Sequence, residues 1–244
     1  MLKPGTPGTP LPSGRGGRRC VVAYSGGKDS HLALLAAVER GLRVEALVYF
    51  DGGERNRDFF HDNPRAALVR AHGRLAGIPV RVLDPRAAFA AGREAGTAAL
   101  FSGVCAELGV KTVYCGATGE DDNTAAMRAS AASAGLRLEA PLEKLDFAGV
   151  LSACAESGVR ARIVGVEKGR RLRSWLGREA GPELAEFCRR RGAPDGNDFQ
   201  TVVLESPLFG GAIKPLSCGR GETRDQLFLE VTRFRVERKK NGQA

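Results

Sequence analysis

The chain has 244 residues, of which 43% are hydrophobic, and this is enough apolar surface for a globular core. No stretch reaches the roughly 18 to 20 uninterrupted apolar residues of a membrane-spanning helix, and the Pro- and Gly-rich start lacks the apolar centre of a signal peptide. The sequence therefore argues against a membrane protein and predicts a cytoplasmic location, while its formal net charge of +9 favours an anionic partner.

Short β-type runs alternate with helical patterns after residues 1–19, which are rich in Pro, Gly and Arg and predict a disordered tail. The β-type runs are CVVAY, RVEALVYF, PVRVLD and KTVYCG, and a helical pattern follows each of them. This alternation predicts an α/β fold with a doubly wound parallel sheet. Ligands bind such sheets at the carboxyl ends of the strands.

The pattern changes near residue 145. The segments that follow are, in order, a helical stretch, the run RARIVGV, a basic helical stretch, the run FQTVVLESPLF and the alternating run QLFLEVTRFRVER. These segments predict a smaller C-terminal α+β unit. The sequence thus predicts a tail at 1–19, a principal domain at 20–145 and a smaller domain at 146–240.

Six cysteines are scattered along the chain without a C-x-x-C pair, so neither a disulfide framework nor a zinc site is predicted. Most of them stand in apolar contexts that predict burial, and only Cys218, in the polar LSCGRGE, is a candidate reactive thiol. The Lys and Arg residues form short clusters. These clusters are either solvated faces or a docking surface for RNA or an acidic protein.

The turn SGGKDS, Ser25–Ser30, lies between the first predicted strand and the first predicted helix. A glycine-rich turn at this place exposes backbone N–H groups beside the positive end of the helix dipole, so it predicts an anion-binding loop. It is not a Walker A loop, because Val22 stands where the first glycine would be and Asp29 follows Lys28. The dinucleotide-binding pattern G-x-G-x-x-G is absent as well.

The pattern S-G-G-x-D-S after a strand resembles the PP-loop of the N-type ATP pyrophosphatases. The resemblance implies that ATP binds with Mg²⁺ and that the loop holds the β and γ phosphates, which leave as pyrophosphate. It assigns nucleotide binding to Ser25, Gly26, Gly27, Lys28, Asp29 and Ser30. Lys28 would supply positive charge to the leaving group. Asp29 would either cap the helix or contact Mg²⁺ indirectly, or else it is an ordinary residue of the first helical turn.

Two further strand ends fit the same superfamily. The stretch VYFDGG stands where PP-loop enzymes hold the adenosine, and CGATGEDD resembles an acidic element beyond the fourth strand. The resemblance assigns nucleotide binding to Tyr49, Phe50, Asp51, Gly116 and Ala117. Asp121 or Asp122 would orient Mg²⁺ or the attacking group, or would only cap the helix. Asp29 and Asp121 are the candidate metal ligands.

The stretch APDGNDFQTVVLESPLF resembles the diphthine ammonia ligase signature G-E-x-G-E-[F/Y]-H-T-x-V-x-D-x-P-x-F. The resemblance makes residues 146–240 the substrate-binding part and implies that Asp195 and Asp198 hold an amine and accept its proton. Both acids alternatively cap the turn before the next strand. The chain departs from the signature at Pro194, Asp195, Asn197, Asp198 and Gln200, so a carboxylate substrate other than diphthine is expected.

The resemblance implies a ligase that adenylates a carboxylate, releases pyrophosphate and forms an amide. Its partners would be a small-molecule or protein-borne carboxylate and an ammonia or amine donor, since the chain leaves no room for a glutaminase. A PP-loop tRNA-modifying enzyme, which would adenylate a base before thiolation or amine transfer, is the main alternative, and a nucleotide sensor without activity is a third. The sequence leaves open whether the chain forms a homodimer.

Overall fold

The computed structural model describes residues 18–51, 66–119, 122–168, 172–191 and 198–239. Its first sheet has five parallel strands in the order β3-β2-β1-β4-β5. The strands are β1 (Arg19–Ala23), β2 (Arg43–Phe50), β3 (Val80–Leu83), β4 (Thr112–Tyr114) and β5 (Arg137–Glu139). The reversal of strand order beside β1 places the β1 and β4 ends at the point where such sheets bind ligands.

Helices cover both faces of this sheet. They are α1 (Lys28–Glu39), α2 (Ala66–Ala76), α3 (Arg93–Leu108), α4 (Asp122–Ser133) and α5 (Phe147–Glu156). Successive residues of a strand point to opposite faces, so Val22 packs in the same cluster as α1, α2 and α5, whereas Val21 packs with α3 and α4. The predicted doubly wound α/β fold is confirmed.

A second, antiparallel sheet follows. It consists of β6 (Arg160–Glu167), β7 (Phe199–Glu205), β8 (Gly211–Glu222) and β9 (Gln226–Arg238), and helix α6 (Pro182–Arg191) lies between β6 and β7 in the chain. The pairings β6-β7-β8-β9 return to β6, so the four strands form a closed barrel. This region corresponds to the smaller C-terminal α+β unit that the sequence predicts.

One hydrophobic cluster extends from the α1 face of the parallel sheet into the barrel. It contains Leu32 and Leu34 of α1 together with Ile163 of β6 and Val203 of β7. Helix α1 is therefore apolar on nearly all sides, because it lies between the sheet and the barrel.

The division of the chain at residue 145 stays a prediction. Among the described helices, none is long and apolar enough to cross a membrane.

Candidate functional site

The loop between β1 and α1 is held by its own side chains. Ser30 Oγ accepts a hydrogen bond from the Ser25 amide at 3.2 Å and lies 3.1 Å from Ser25 Oγ. Gly26 has φ +83°, a conformation that favours glycine, and Gly27 is the N-cap of α1 without a side-chain cap. The Gly27 amide donates to Ser25 Oγ at 3.3 Å. These contacts fix the loop at the positive end of the helix dipole, which suits an anion.

Strand β7 of the barrel lies directly against this loop. The Lys28 amide donates to Thr201 Oγ1 at 3.1 Å, and the Val203 amide donates to the Gly26 carbonyl at 3.0 Å. A Cβ atom on Gly27 would lie 3.2 Å from the Thr201 carbonyl oxygen, so a side chain there would press on the strand. The stretch FQTVVLE, which carries the resemblance to the ligase signature, is thus in contact with the anion-binding loop.

Lys28 and Asp29 form an ion pair at the start of α1. Lys28 is 1% exposed, and its Nζ lies 3.0 and 2.9 Å from the two carboxylate oxygens of Asp29 and 5.0 Å from the centre of the Phe147 ring. Asp29 does not cap the helix, because Gly27 is the N-cap and the Asp29 carboxylate is engaged by Lys28 instead. The buried ammonium therefore adds a fixed positive charge beside the loop.

The side chains of Tyr49 and Phe50 belong to the hydrophobic core. Tyr49 packs in the cluster on the α1 face, and the ring of Phe50 packs edge-on against Phe101 on the other face at 5.3 Å. Asp51, at the end of β2, donates its amide to the Leu83 carbonyl at 2.8 Å. Any adenosine contact at this strand end would therefore come from the backbone or from Asp51.

Gly116, just beyond β4, packs against the first turn of α1. A Cβ atom on Gly116 would lie 2.6 Å from both the Asp29 carbonyl oxygen and the Ser30 amide nitrogen, closer than real Cβ atoms approach. Ala117 follows and is partly buried. The structure thus brings Gly116 to the loop region, where the absence of a side chain lets the β4 end and the α1 turn meet.

We expect Gly116→Ala to lower the free energy of unfolding by about 1 to 3 kcal/mol, because the new methyl group overlaps rigid backbone atoms rather than a movable side chain. Gly103→Ala is the matched control: a Cβ at Gly103, in α3, has no neighbour within 4 Å, and alanine favours the helix. Denaturant unfolding of both variants checks this. An unchanged midpoint for Gly116→Ala would contradict the close packing.

The remaining candidate residues divide into two groups. Asp121 and Asp195 lie outside the described residues. Asp198 is described, directly precedes β7 and is buried at 7% exposure. Within the described ranges, no group of three or more His, Cys, Asp or Glu side chains is placed to hold a metal ion. Asp29, about one third exposed beside the loop, fits the single carboxylate that Mg²⁺ commonly takes from a protein when phosphates supply its other ligands.

Gln200 stands where the ligase signature has histidine, and its side chain is enclosed by other residues. Its Nε2 donates to Gln226 Oε1 at 2.6 Å, and it lies so close to Gly165 that a Cβ atom there would be 2.8 Å from Gln200 Oε1. Glycine at position 165 of β6 therefore makes room for the glutamine. The residue that departs from the signature is thus a packing residue between strands of the barrel.

A buried hydrogen-bond network at the junction of α1, α2 and the barrel was not anticipated from the sequence. Tyr24 Oη lies 2.8 Å from His31 Nδ1 and 3.2 Å from His72 Nδ1. His31 Nε2 lies 2.7 Å from Ser206 Oγ, and His72 Nε2 donates to the Val203 carbonyl at 2.8 Å. The only available signal was two histidines on otherwise apolar helical patterns.

The Val203 carbonyl accepts only, and this fixes the proton positions along the network. His72 carries its proton on Nε2, so its Nδ1 accepts from Tyr24, whose oxygen in turn accepts from His31 Nδ1–H. His31 Nε2 then accepts from Ser206. Every polar atom is satisfied with both imidazoles neutral. Burial accordingly lowers the pKa of His31 to about 3 and that of His72 to about 4.

Five of the six cysteines are buried, as the sequence predicts, and Cys218 on β8 is exposed. Burial raises the pKa of Cys20 and Cys154 to about 12 and that of Cys105 to about 11, so these thiols are unreactive packing residues.

Comparisons with known proteins give a family match for the first part of the chain. Residues 18–138 match the family model of the diphthamide synthase N-terminal domain. No curated protein sequence matches the chain. Among solved structures, the U34-tRNA thiolase NcsA from Methanococcus maripaludis, with its [4Fe-4S] cluster, is 14% identical with a TM-score of 0.39, over 76% of this chain and 68% of that chain. With its SGGKDS loop between the first strand and the first helix, this matched part of the chain belongs to the PP-loop ATP pyrophosphatase superfamily.

Proposed function

We propose that the protein is an ATP-dependent ligase that joins a substrate carboxylate to ammonia or an amine, with residues 20–145 binding ATP and residues 146–240 binding the substrate. The contact of β7 with the loop carries this proposal. The stretch that resembles the diphthine ammonia ligase signature donates the Val203 amide to Gly26 and accepts the Lys28 amide at Thr201, so the two motifs are in direct contact. The family model named for diphthamide synthase supports the same assignment.

The loop performs the first step by binding and charge stabilisation. A carboxylate oxygen attacks the α phosphorus of ATP, and the bond to the oxygen that bridges to the β phosphorus breaks, which releases pyrophosphate. The dipole of α1 and the buried Lys28 ammonium stabilise the charge on this leaving group. Asp29 orients the ammonium through its hydrogen bonds with Lys28 Nζ. Mg²⁺, held mainly by the phosphates, would add positive charge.

The second step transfers the acyl group. The nitrogen attacks the carbonyl carbon of the acyl-adenylate, AMP leaves, and one proton passes from nitrogen to a base. We assign the base role to Asp195 or Asp198, the two acids that replace glutamates of the signature. Aspartate is one methylene shorter than glutamate, so each carboxylate would be withdrawn by roughly 1.5 Å. This favours a substrate that extends further into the site.

We expect the substrate to be a carboxylate other than diphthine. The signature is not kept at Pro194, Asp195 and Asn197, which differ from it in shape and polarity at the place where the resemblance puts substrate recognition. The test incubates the protein with ATP, Mg²⁺ and ammonia and offers either diphthine-bearing elongation factor or a panel of small carboxylic acids. Pyrophosphate and AMP are quantified, and the amide is identified by mass. We expect an amide from the small-acid panel.

Efficient amidation of the elongation factor with no product from small acids would show that the exchanges at 194–200 leave the substrate unchanged. Absence of carboxylate-dependent pyrophosphate release from either source would instead favour a nucleotide sensor over a ligase.

A PP-loop tRNA-modifying enzyme is the second candidate. The observation that favours it is the net charge of +9 together with exposed arginines on the β8–β9 hairpin, among them Arg220, Arg233 and Arg235. An RNA-modifying enzyme would co-purify with tRNA and release pyrophosphate when tRNA is added, without a carboxylate. The same pyrophosphate assay separates the two candidates.

A further inference from the structure

Thr201 lies on β7 of the barrel, and its hydroxyl group contacts the first residue of α1. Its Oγ1 accepts the Lys28 amide at 3.1 Å, so it caps a helix whose own N-cap residue is glycine. The two residues are 173 positions apart in the sequence. A hydroxyl group also has one proton to donate, and among the described residues no oxygen accepts it.

We infer that Thr201 is a phosphate-binding residue that the barrel adds to the loop, with its hydroxyl donating to an oxygen of the β or γ phosphate. This inference rests on the proposed function, in which those phosphates bind to the loop. An amide that donates to the hydroxyl oxygen polarises the O–H bond and makes it a better donor. A charged phosphate oxygen is the acceptor that gains most from such a donor.

The position of Thr201 is set by rigid elements on both sides. Thr201 is 6% exposed and pairs with Ile163 across the β6–β7 ladder, while the neighbouring Val203 amide fastens the strand to the Gly26 carbonyl. Gly27 lets the loop and the strand approach closely, since a Cβ atom there would lie only 3.2 Å from the Thr201 carbonyl oxygen. The hydroxyl is therefore preorganised at the loop before ATP arrives, and the phosphate site extends beyond residues 18–138.

The test compares Thr201→Val, which keeps the shape and removes the hydroxyl, with Thr201→Ser, which keeps the hydroxyl. Calorimetric titration of the full chain with ATP and with AMP, both with Mg²⁺, measures the affinities. We expect Thr201→Val to bind ATP about 10- to 100-fold more weakly, the range for a lost hydrogen bond to a charged group, and to bind AMP as the unchanged protein does. Thr201→Ser should restore ATP binding.

Thermal unfolding of each variant measures how much stability the protein loses when the hydroxyl no longer caps α1. If Thr201→Val does not fold, Thr201→Cys replaces it, since a thiol is a weak donor of similar size, and the same loss of ATP affinity is expected. Unchanged ATP affinity in the valine variant would overturn the inference, and so would an equal loss for ATP and AMP. If the unchanged protein binds ATP and releases pyrophosphate, either of these results contradicts only the role of Thr201 and not the proposed ligase function. If the unchanged protein does not bind ATP, both the role of Thr201 and the proposed function are wrong.

Discussion

Lys28→Met is expected to reduce ATP-dependent pyrophosphate release by about 100-fold or more while the protein stays folded. Removing one preorganised charge or donor from a transition-state site commonly has an effect of this size, about 3 kcal/mol. Methionine keeps most of the volume of the buried side chain, whereas alanine would leave a cavity beneath Phe147. Asp29 loses its partner, but its carboxylate is about one third exposed and water can solvate it.

Lys111→Met is the matched control for this change. Lys111 is exposed and immediately precedes β4, so it lies at the amino end of the parallel strands, opposite the loop. The assay measures pyrophosphate release at saturating ATP and unfolding of both variants. Turnover equal to that of the unchanged protein in Lys28→Met would remove Lys28 from the phosphate site.

The fold and the loop were predictable because their signals are local. The alternation of β-type runs with helical patterns specifies a parallel sheet, and Ser25, Gly26 and Ser30 form the loop within six residues of each other. The order in which strands follow one another then places the loop and Gly116 at the same edge of the sheet. Local patterns and the general rules for α/β sheets were therefore sufficient for this part.

The contacts that join the barrel to the loop were not predictable in the same way. The bond from the Lys28 amide to Thr201 and that from the Ser206 hydroxyl to His31 each join residues more than 170 positions apart. No spacing in the sequence encodes which hydroxyl will cap α1 or which carbonyl will accept from His72. The expectation that Tyr49 and Phe50 border the adenosine came from resemblance, and their burial follows from helices covering both faces of the sheet.

Acidification from pH 7 to pH 5 is expected to lower the free energy of unfolding by about 4 kcal/mol, about 2 kcal/mol for each of His31 and His72. In the unfolded chain both imidazoles have an ordinary pKa near 6.5, whereas burial lowers the pKa in the folded protein to about 3 and about 4. The unfolded state therefore binds more protons across this range. The stabilisation is complete above pH 6.5 and is lost as the pH falls towards the folded pKa values.

The slope of this pH dependence is the sharpest test. Between pH 5 and 6 each histidine contributes about 1.2 kcal/mol per pH unit, so His72→Gln should roughly halve the slope whatever it does to the absolute stability. The pKa of Asp84 is lowered to about 2 by Arg86 and that of Glu205 is lowered by Lys214, so these carboxylates act mainly below the measured range. Urea unfolding at several pH values gives the slope, and NMR of the imidazole protons gives the folded pKa values directly. A flat profile between pH 7 and 5, or a histidine that titrates near 6.5 in the folded protein, would contradict the neutral, fully hydrogen-bonded network that joins α1 and α2 to the barrel through Tyr24.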